Sequence, residues 1–208
     1  MRPFIPSNNI INYSQHGEQP IVFQYFKEHP PVHKIVVDVG AMGRQLSNSM
    51  ALLVYGWRGI LVDADPARFD IIKAEFPQQG VEVICVGVGD CEGEMDFHLH
   101  SVLGHNSFLP DWLPMTGTGK SIKQKVRPLA DILSERNIPF DFDFLTIDTE
   151  GMDERIMKKF FADSEYRPRM VVTECNSYAN ADEFFGQYGY HLFNRTGGLK
   201  DGNLIYVR

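Results

Sequence analysis

The residues of this 208-residue chain best suited to chemistry are acids and glycines that recur directly after short, β-branched apolar runs. Five such clusters occur: Asp38 to Gly43, Asp63 to Asp65, Gly89-Asp90, Asp148 to Gly151, and Glu174 to Asn176. A carboxylate at a strand end can accept hydrogen bonds from sugar hydroxyls, take a proton from a nucleophile, or hold a hard cation. Asp63 closes the second run, which is where an acid accepts from ribose hydroxyls, so a nucleoside-bearing ligand is expected. The turn Gly40-x-x-Gly43 lacks the Gly-x-Gly-x-x-Gly spacing that brings a backbone against a pyrophosphate, which disfavours a dinucleotide. Alone, Gly-x-x-Gly is also compatible with an ordinary tight turn.

The elements that must position these clusters alternate. Lys34 to Val39 reads as a strand, followed by the glycine turn and a helix through Met50, Leu52, Leu53 and Tyr55 that Ser47 or Asn48 can cap. Gly59 to Asp63 repeats the pattern, with Pro66 opening a helix that carries Phe69, Ile71, Ile72 and Phe76. Val81 to Val88, Phe142 to Asp148 and Met170 to Glu174 are three more strands. Helices follow the last two, one with Ile156, Met157, Phe160 and Phe161 on a single side, the other entered through Ala181 to Phe185. Strands parted by helices imply βαβ units, and therefore an α/β fold with a mainly parallel sheet covered on both faces. Tyr190 to Asn194 and Asn203 to Val207 read as an antiparallel hairpin at the sheet edge, completing seven strands. Residues 94–127 interrupt the alternation. Within them Met95 to His100 alternates like an exposed strand, and Ser101 to Lys120 reads as a long loop, a place where function concentrates.

Composition narrows the classes. With 43% hydrophobic and 12% aromatic residues, the chain can bury a core without disulfides, and its length suits one domain with an N-terminal segment and helix over 1–30. A net charge of -7 repels a phosphate backbone, so no nucleic-acid partner is expected. The basic run Lys120, Lys123, Lys125 and Arg127 reads as a solvated edge, with an anionic acceptor as the alternative. Cys85, Cys91 and Cys175 form no Cys-x-x-Cys pair, which suits free thiols in the cytoplasm. The mixed N-terminus does not read as a signal peptide, and no membrane span is expected. Gly117-Thr-Gly-Lys120-Ser121 has Pro114 where a phosphate loop needs glycine, and is rejected as one. His98 and His100 share a strand face without a third ligand, so a solvated face is the simpler account.

Several motifs together resemble the FkbM-like family of S-adenosylmethionine-dependent O-methyltransferases. They are Asp38-Val-Gly-Ala, Ser47-Asn48-Ser49, Gly56-Trp57-Arg58-Gly59-Ile60-Leu61-Val62-Asp63, Val86-Gly-Val-Gly-Asp90-x-x-Gly93 and Asp143-Phe-Leu-Thr-Ile-Asp-Thr-Glu-Gly151. Ser14-Gln15-His16-Gly17-Glu18 resembles the family's Ser-Gln-x-Gly-Glu-Asp, with Gln19 in the last place. Met42 stands alone where the family carries Asn and often Asp, making the turn one residue shorter, and Asp63-Ala64-Asp65 replaces a commoner Glu-Pro-Asn.

The resemblance implies a Rossmann-like class I methyltransferase fold and S-adenosylmethionine as cofactor. Its contacts are expected at Glu18, Asp38, Gly40, Ala41, Gly43, Asn48, Asp63, Ala64, Gly89, Asp90 and Asp148, with Gly40 and Gly43 against the methionine portion and Asp90 near adenine. Asp38 has the alternative of bracing the turn, and Glu18 that of an acid in the first turn of its helix. A hydroxyl acceptor on a sugar, glycan or natural product must lose a proton. Asp148 is the first candidate for the base, then Glu150, then His105 in the long loop. Glu150 has the alternative of capping the following helix. Asp148 with Glu174 is a candidate magnesium pair, although acids at neighbouring strand ends also fit turn chemistry. Two rival functions remain at this level: a catalytically silent adenosyl-binding module, suggested by Met42 and Gln19, and a dinucleotide oxidoreductase.

Overall fold

Strands made of unbroken β-branched runs are stable only where both faces are covered. In the computed structural model, which describes residues 12–77, 80–102, 104–112, 115–174, 180–198 and 202–208, that is the setting of the central strands. Five strands lie side by side in parallel: β1 (Ile35–Val39), β2 (Arg58–Asp63), β3 (Val81–Cys85), β7 (Phe144–Ile147) and β8 (Met170–Glu174). The hairpin β9 (His191–Thr196) and β10 (Asn203–Val207) adds two antiparallel strands, giving the order β3-β2-β1-β7-β8-β10-β9.

Alternation along each strand sends side chains to two cores. Val36, Leu61, Phe144 and Val172 face one layer, built by α1 (Glu18–Glu28), α2 (Met50–Val54) and α3 (Pro66–Glu75). Val37, Leu145 and Val171 face the other, built by α4 (Leu129–Ser134), α5 (Asp153–Asp163) and α6 (Ala181–Gln187). The expected stripe of α5 is buried at Ile156, Met157, Phe160 and Phe161. In α3 only Ile72 turns fully inward, and Ile71 is exposed. Ser47, one of the two candidate caps for α2, accepts from the Met50 amide at 2.9 Å.

Two expectations need correction. Val81 to Val88 is not one strand, because β3 ends at Cys85 and the chain then enters a second sheet at β4 (Gly87–Val88). That sheet has the order β4-β6-β5, with β5 (Gly93–His100) antiparallel to β6 (Gly117–Arg127). The expected loop from Ser101 therefore stops before Gly117, and Gly117 to Lys120 are already strand. The basic run lies on β6, where Lys123 pairs with Asp96 at 2.9 Å, Lys125 stands opposite Glu94, and Arg127 binds Glu135. Its charge is largely matched within the fold.

At the amino ends of the strands the fully buried carboxylate of Asp143 gathers the amides of Val32 (2.7 Å) and His33 (2.8 Å) and the Arg169 guanidinium (3.3 Å). Cys85 and Cys91 are free thiols, and Cys175 lies outside the described residues. No helix among the described residues is long and apolar enough to cross a membrane.

Candidate active site

Strand order reverses between β1 and β7, so the crevice beyond their carboxyl ends is the place for a ligand. Three strand ends converge there. The Gly40 and Ala41 amides both donate to the Val62 carbonyl, at 2.8 and 3.1 Å, and the Asp148 amide donates to the Val39 carbonyl at 2.9 Å. Gly40 has φ +82°, and a Cβ there would fall onto the Asp148 carbonyl, so only glycine lets β1 and β7 close this tightly. A cavity of about 380 Å³ lies over the convergence, within the size range of ligand pockets.

Acids dominate its wall. The lining includes Asp38, Asp63, Asp65, Asp148, Glu150 and Glu174, against a single guanidinium among the described lining residues, Arg68. Burial pushes Asp38 up to about 6, opposed by a 2.5 Å hydrogen bond from the Ser49 hydroxyl. Burial likewise pushes Asp63 up to about 7, opposed by the Asp65 amide donating to its Oδ1 at 2.7 Å. Asp148 is driven well above the ordinary carboxylate range by burial and then by the negative charges of Glu150, Asp38 and Glu18. Glu150 is raised by burial too, an effect moderated by the Trp112 indole, which donates to its Oε2 at 2.7 Å. Desolvation, joined at Asp148 by like charge, thus raises these pKa values, which suits a carboxylate to take up a proton.

Of the residues singled out from the sequence, Asp38, Gly40, Asn48, Asp63, Ala64, Asp148, Glu150, His105 and Glu174 all line this one cavity. Asn48 also donates to the Thr146 hydroxyl at 3.2 Å, fixing the neighbouring strand. His105 has a buried Nδ1 without a hydrogen-bond partner.

Five expected contacts sit elsewhere. Ala41 and Gly43 are buried beneath the turn, and Gly43 is crowded by the Glu75 carboxylate. Glu18 is fully buried, with Oε1 accepting from Thr196 and from Asn203 (2.9 Å) and Oε2 from the His16 amide (3.1 Å). Burial alone would raise its pKa, but these donors outweigh burial and hold it low. Gly89 donates to the Arg127 carbonyl inside the second sheet, and Asp90 is drawn to the Arg155 guanidinium at 2.8 Å. The cause is the early end of β3: the chain crosses to β4 two residues later, so Val86 and Val88 line the cavity where Asp90 was expected. No group of three or more His, Cys, Asp or Glu side chains able to hold a metal occurs among the described residues, although Asp148 and Glu174 share the cavity wall.

Other contributors were missed. Arg68 donates to the Met42 carbonyl and shapes the turn. Phe97, the buried residue of the alternating β5, meets Phe108 at 4.8 Å between ring centroids. Residues 104–112 run across the cavity as a roof, in which Asn106 donates to Asp65 at 3.0 Å and Trp112 reaches Glu150. An available signal was Trp112 itself, one of two tryptophans in the chain, set in the long stretch between Ser101 and Lys120 where function concentrates.

Comparison with known proteins follows the same lines. A methyltransferase FkbM domain matches residues 38–192. Among solved structures, methyltransferase FkbM from Methylobacillus flagellatus is similar, with a TM-score of 0.52 and 17% identity over 83% of this chain and 43% of that one. This chain therefore spans less than half the length of that protein. A putative RNA methyltransferase from Pyrococcus horikoshii has a TM-score of 0.50 and 12% identity over 94% of this chain and 86% of that one. The METTL16 methyltransferase domain has a TM-score of 0.52 and 15% identity over 90% and 64%. No curated protein matches the chain. At such identities the structures speak for the fold, here the Rossmann-like methyltransferase fold, whereas the family match covers most of the chain and includes the strand-end acids of the cavity, and the chain belongs to the FkbM methyltransferase family.

Proposed function

We propose that this methyltransferase uses S-adenosylmethionine to methylate a hydroxyl group on a small molecule or glycan. The observation that carries the reading is Asp63, at the end of β2 and open to an acidic cavity at the sheet's switch point. The donor set fits the cofactor: six carboxylates favour a cationic sulfonium and an ammonium group by Coulomb attraction, and Asp63 suits paired ribose hydroxyls. When bound, the cofactor supplies a methyl group on a cationic sulfur leaving group.

The chain's own residues then have three tasks. Asp63 accepts from the ribose, and Asp38, Gly40 and Asn48 line the methionine side of the cavity. Asp148, whose pKa burial has raised, would take the proton that the acceptor hydroxyl gives up on methylation. Glu150 and His105 are the neighbouring groups able to replace it. The walls would position the acceptor against the cofactor, and such positioning can supply effective molarities of about 10⁵ M or more. An acidic lining disfavours a phosphate-bearing acceptor, which supports a small hydroxyl compound over nucleic acid. Free thiols at Cys85 and Cys91 accord with a reducing, cytoplasmic setting.

Calorimetric titration with S-adenosylhomocysteine and with NAD tests the cofactor. Binding of the first and silence with the second is expected, and the reverse overturns the reading. Once an acceptor screen by mass spectrometry yields a product, Asp148→Asn should lower turnover by roughly 10² or more with cofactor affinity retained. Loss of activity in EDTA and recovery in magnesium would assign Asp148 and Glu174 to a metal instead.

A further inference from the structure

We infer that Trp112 is a positioning residue, holding the Glu150 carboxylate toward the reacting end of the cavity. The inference rests on the proposed sulfonium cofactor and concerns how the roof builds the site. Glu150 adopts φ +53°, a left-handed conformation that a non-glycine residue keeps only where its surroundings over-determine it. Those surroundings come from the roof. The Ser107 hydroxyl donates to the Glu150 main-chain carbonyl at 2.7 Å, and the Trp112 indole N–H donates to Oε2 at 2.7 Å. The indole also presses on the next residue: a Cβ on Gly151, itself at φ +102°, would lie 2.7 Å from the Trp112 ring. Backbone, carboxylate and following glycine are therefore all held by residues 107–112.

An unrestrained glutamate samples many rotamers. Tied through Oε2, this one is confined to the cavity wall beside Asp148. At a pH where it is ionised, its charge favours the sulfonium of S-adenosylmethionine over the neutral thioether of S-adenosylhomocysteine. The ratio of the two affinities thus reports on Glu150 without any acceptor.

The test is a double-mutant cycle on that ratio, measured by calorimetry at pH 8 with wild type, Trp112→Phe, Glu150→Gln and the double variant. Phenylalanine keeps most of the apolar surface and removes the N–H. Glu150→Gln should lower the preference for S-adenosylmethionine by about fivefold, a Coulomb effect of roughly that size at a partly buried site. Trp112→Phe should lower it similarly, and the double variant no further than Glu150→Gln alone, because residues acting through one group are not additive. A purely structural Trp112 would weaken both ligands equally and leave the ratio at the wild-type value, which overturns the inference. Additive losses overturn it as well. If Glu150→Gln leaves the ratio unchanged, Glu150 does not face the sulfonium, and the inference falls while the cofactor reading stands. Wild type that binds neither ligand sinks the cofactor reading itself, and with it the premise of the cycle.

Discussion

Gly40→Ala is the sharpest test of how the site is assembled. At φ +82° an alanine costs about 1–2 kcal/mol in backbone strain alone. Its methyl would also fall onto the Asp148 peptide: the carbonyl carbon lies 2.8 Å away, where ordinary contact begins at 3.4 Å, and the carbonyl oxygen is closer still. The ends of β1 and β7 must then separate by well over about 0.6 Å, since the nearer carbonyl oxygen demands more than the carbon, against the hydrogen bonds that tie Gly40 to Val62 and Asp148 to Val39. Overpacking of this kind costs about 1–3 kcal/mol, so the total is about 2–5 kcal/mol. Gly56→Ala is the internal control, because Gly56 has φ +81° with no heavy atom within 4 Å of a built Cβ, and pays the backbone strain only. In urea denaturation, with a slope of about 2 kcal/mol per molar, Gly40→Ala should lower the midpoint by about 1–2.5 M and Gly56→Ala by about 0.5–1 M. Equal midpoint shifts would refute the claim that Gly40 is required by the closeness of β1 and β7.

Asp63→Ala should weaken S-adenosylhomocysteine binding by about 1.5 kcal/mol or more, because ribose donors lose a charged acceptor; an unchanged dissociation constant in a folded variant would mean that the acid points elsewhere. Glu18→Ala strands the hydrogen-bond donors of Thr196 and Asn203 in a buried site and should cost about 2–4 kcal/mol of stability in denaturant titration. Asp153, fully buried and raised to about 7 by burial and then by Asp148, holds a proton in the fold that the unfolded chain gives up near pH 4. The fold binds more protons across that window, so stability falls as pH rises from about 4 to about 7. Asp153→Asn removes this dependence, and the loss of stability between pH 5 and pH 8 should shrink by about 2–3 kcal/mol, as read from denaturation midpoints at the two values.

Much of the parallel sheet was legible because its signal is local. Lys34 to Val39 and Met170 to Glu174 are short runs dominated by Val and Ile with an acid or a glycine at the carboxyl end, and both became central strands within a residue. The strand-end acids followed, since a residue at a carboxyl end has one crevice to face. What escaped was set by contacts between distant segments. Val81 to Val88 is broken only by Glu82 and Gly87, and no turn residue directly follows Cys85; the break there follows from the pairing of Gly87 and Val88 with Val126 and Arg127. Asp90 turned with it toward an arginine 65 residues downstream. Glu18 has an unremarkable local role as a first-turn acid, yet its partners lie in the C-terminal hairpin. The roof was invisible for the same reason, being defined by Asn106 meeting Asp65 and Trp112 meeting Glu150 across the crevice.

The Asp143 cluster bears on how this molecule can deform. One carboxylate fastens the segment entering β1, the start of β7 and, through Arg169, the approach to β8. A buried, multiply bonded charge of this kind is among the last contacts to loosen, because any donor pulled away leaves an uncompensated ion behind. The sheet is therefore clamped at its base, on the side away from the cavity, like a fan gripped at the handle. The register of β1 and β7 beneath the cavity is thus tied at the end of the sheet farthest from any ligand in it.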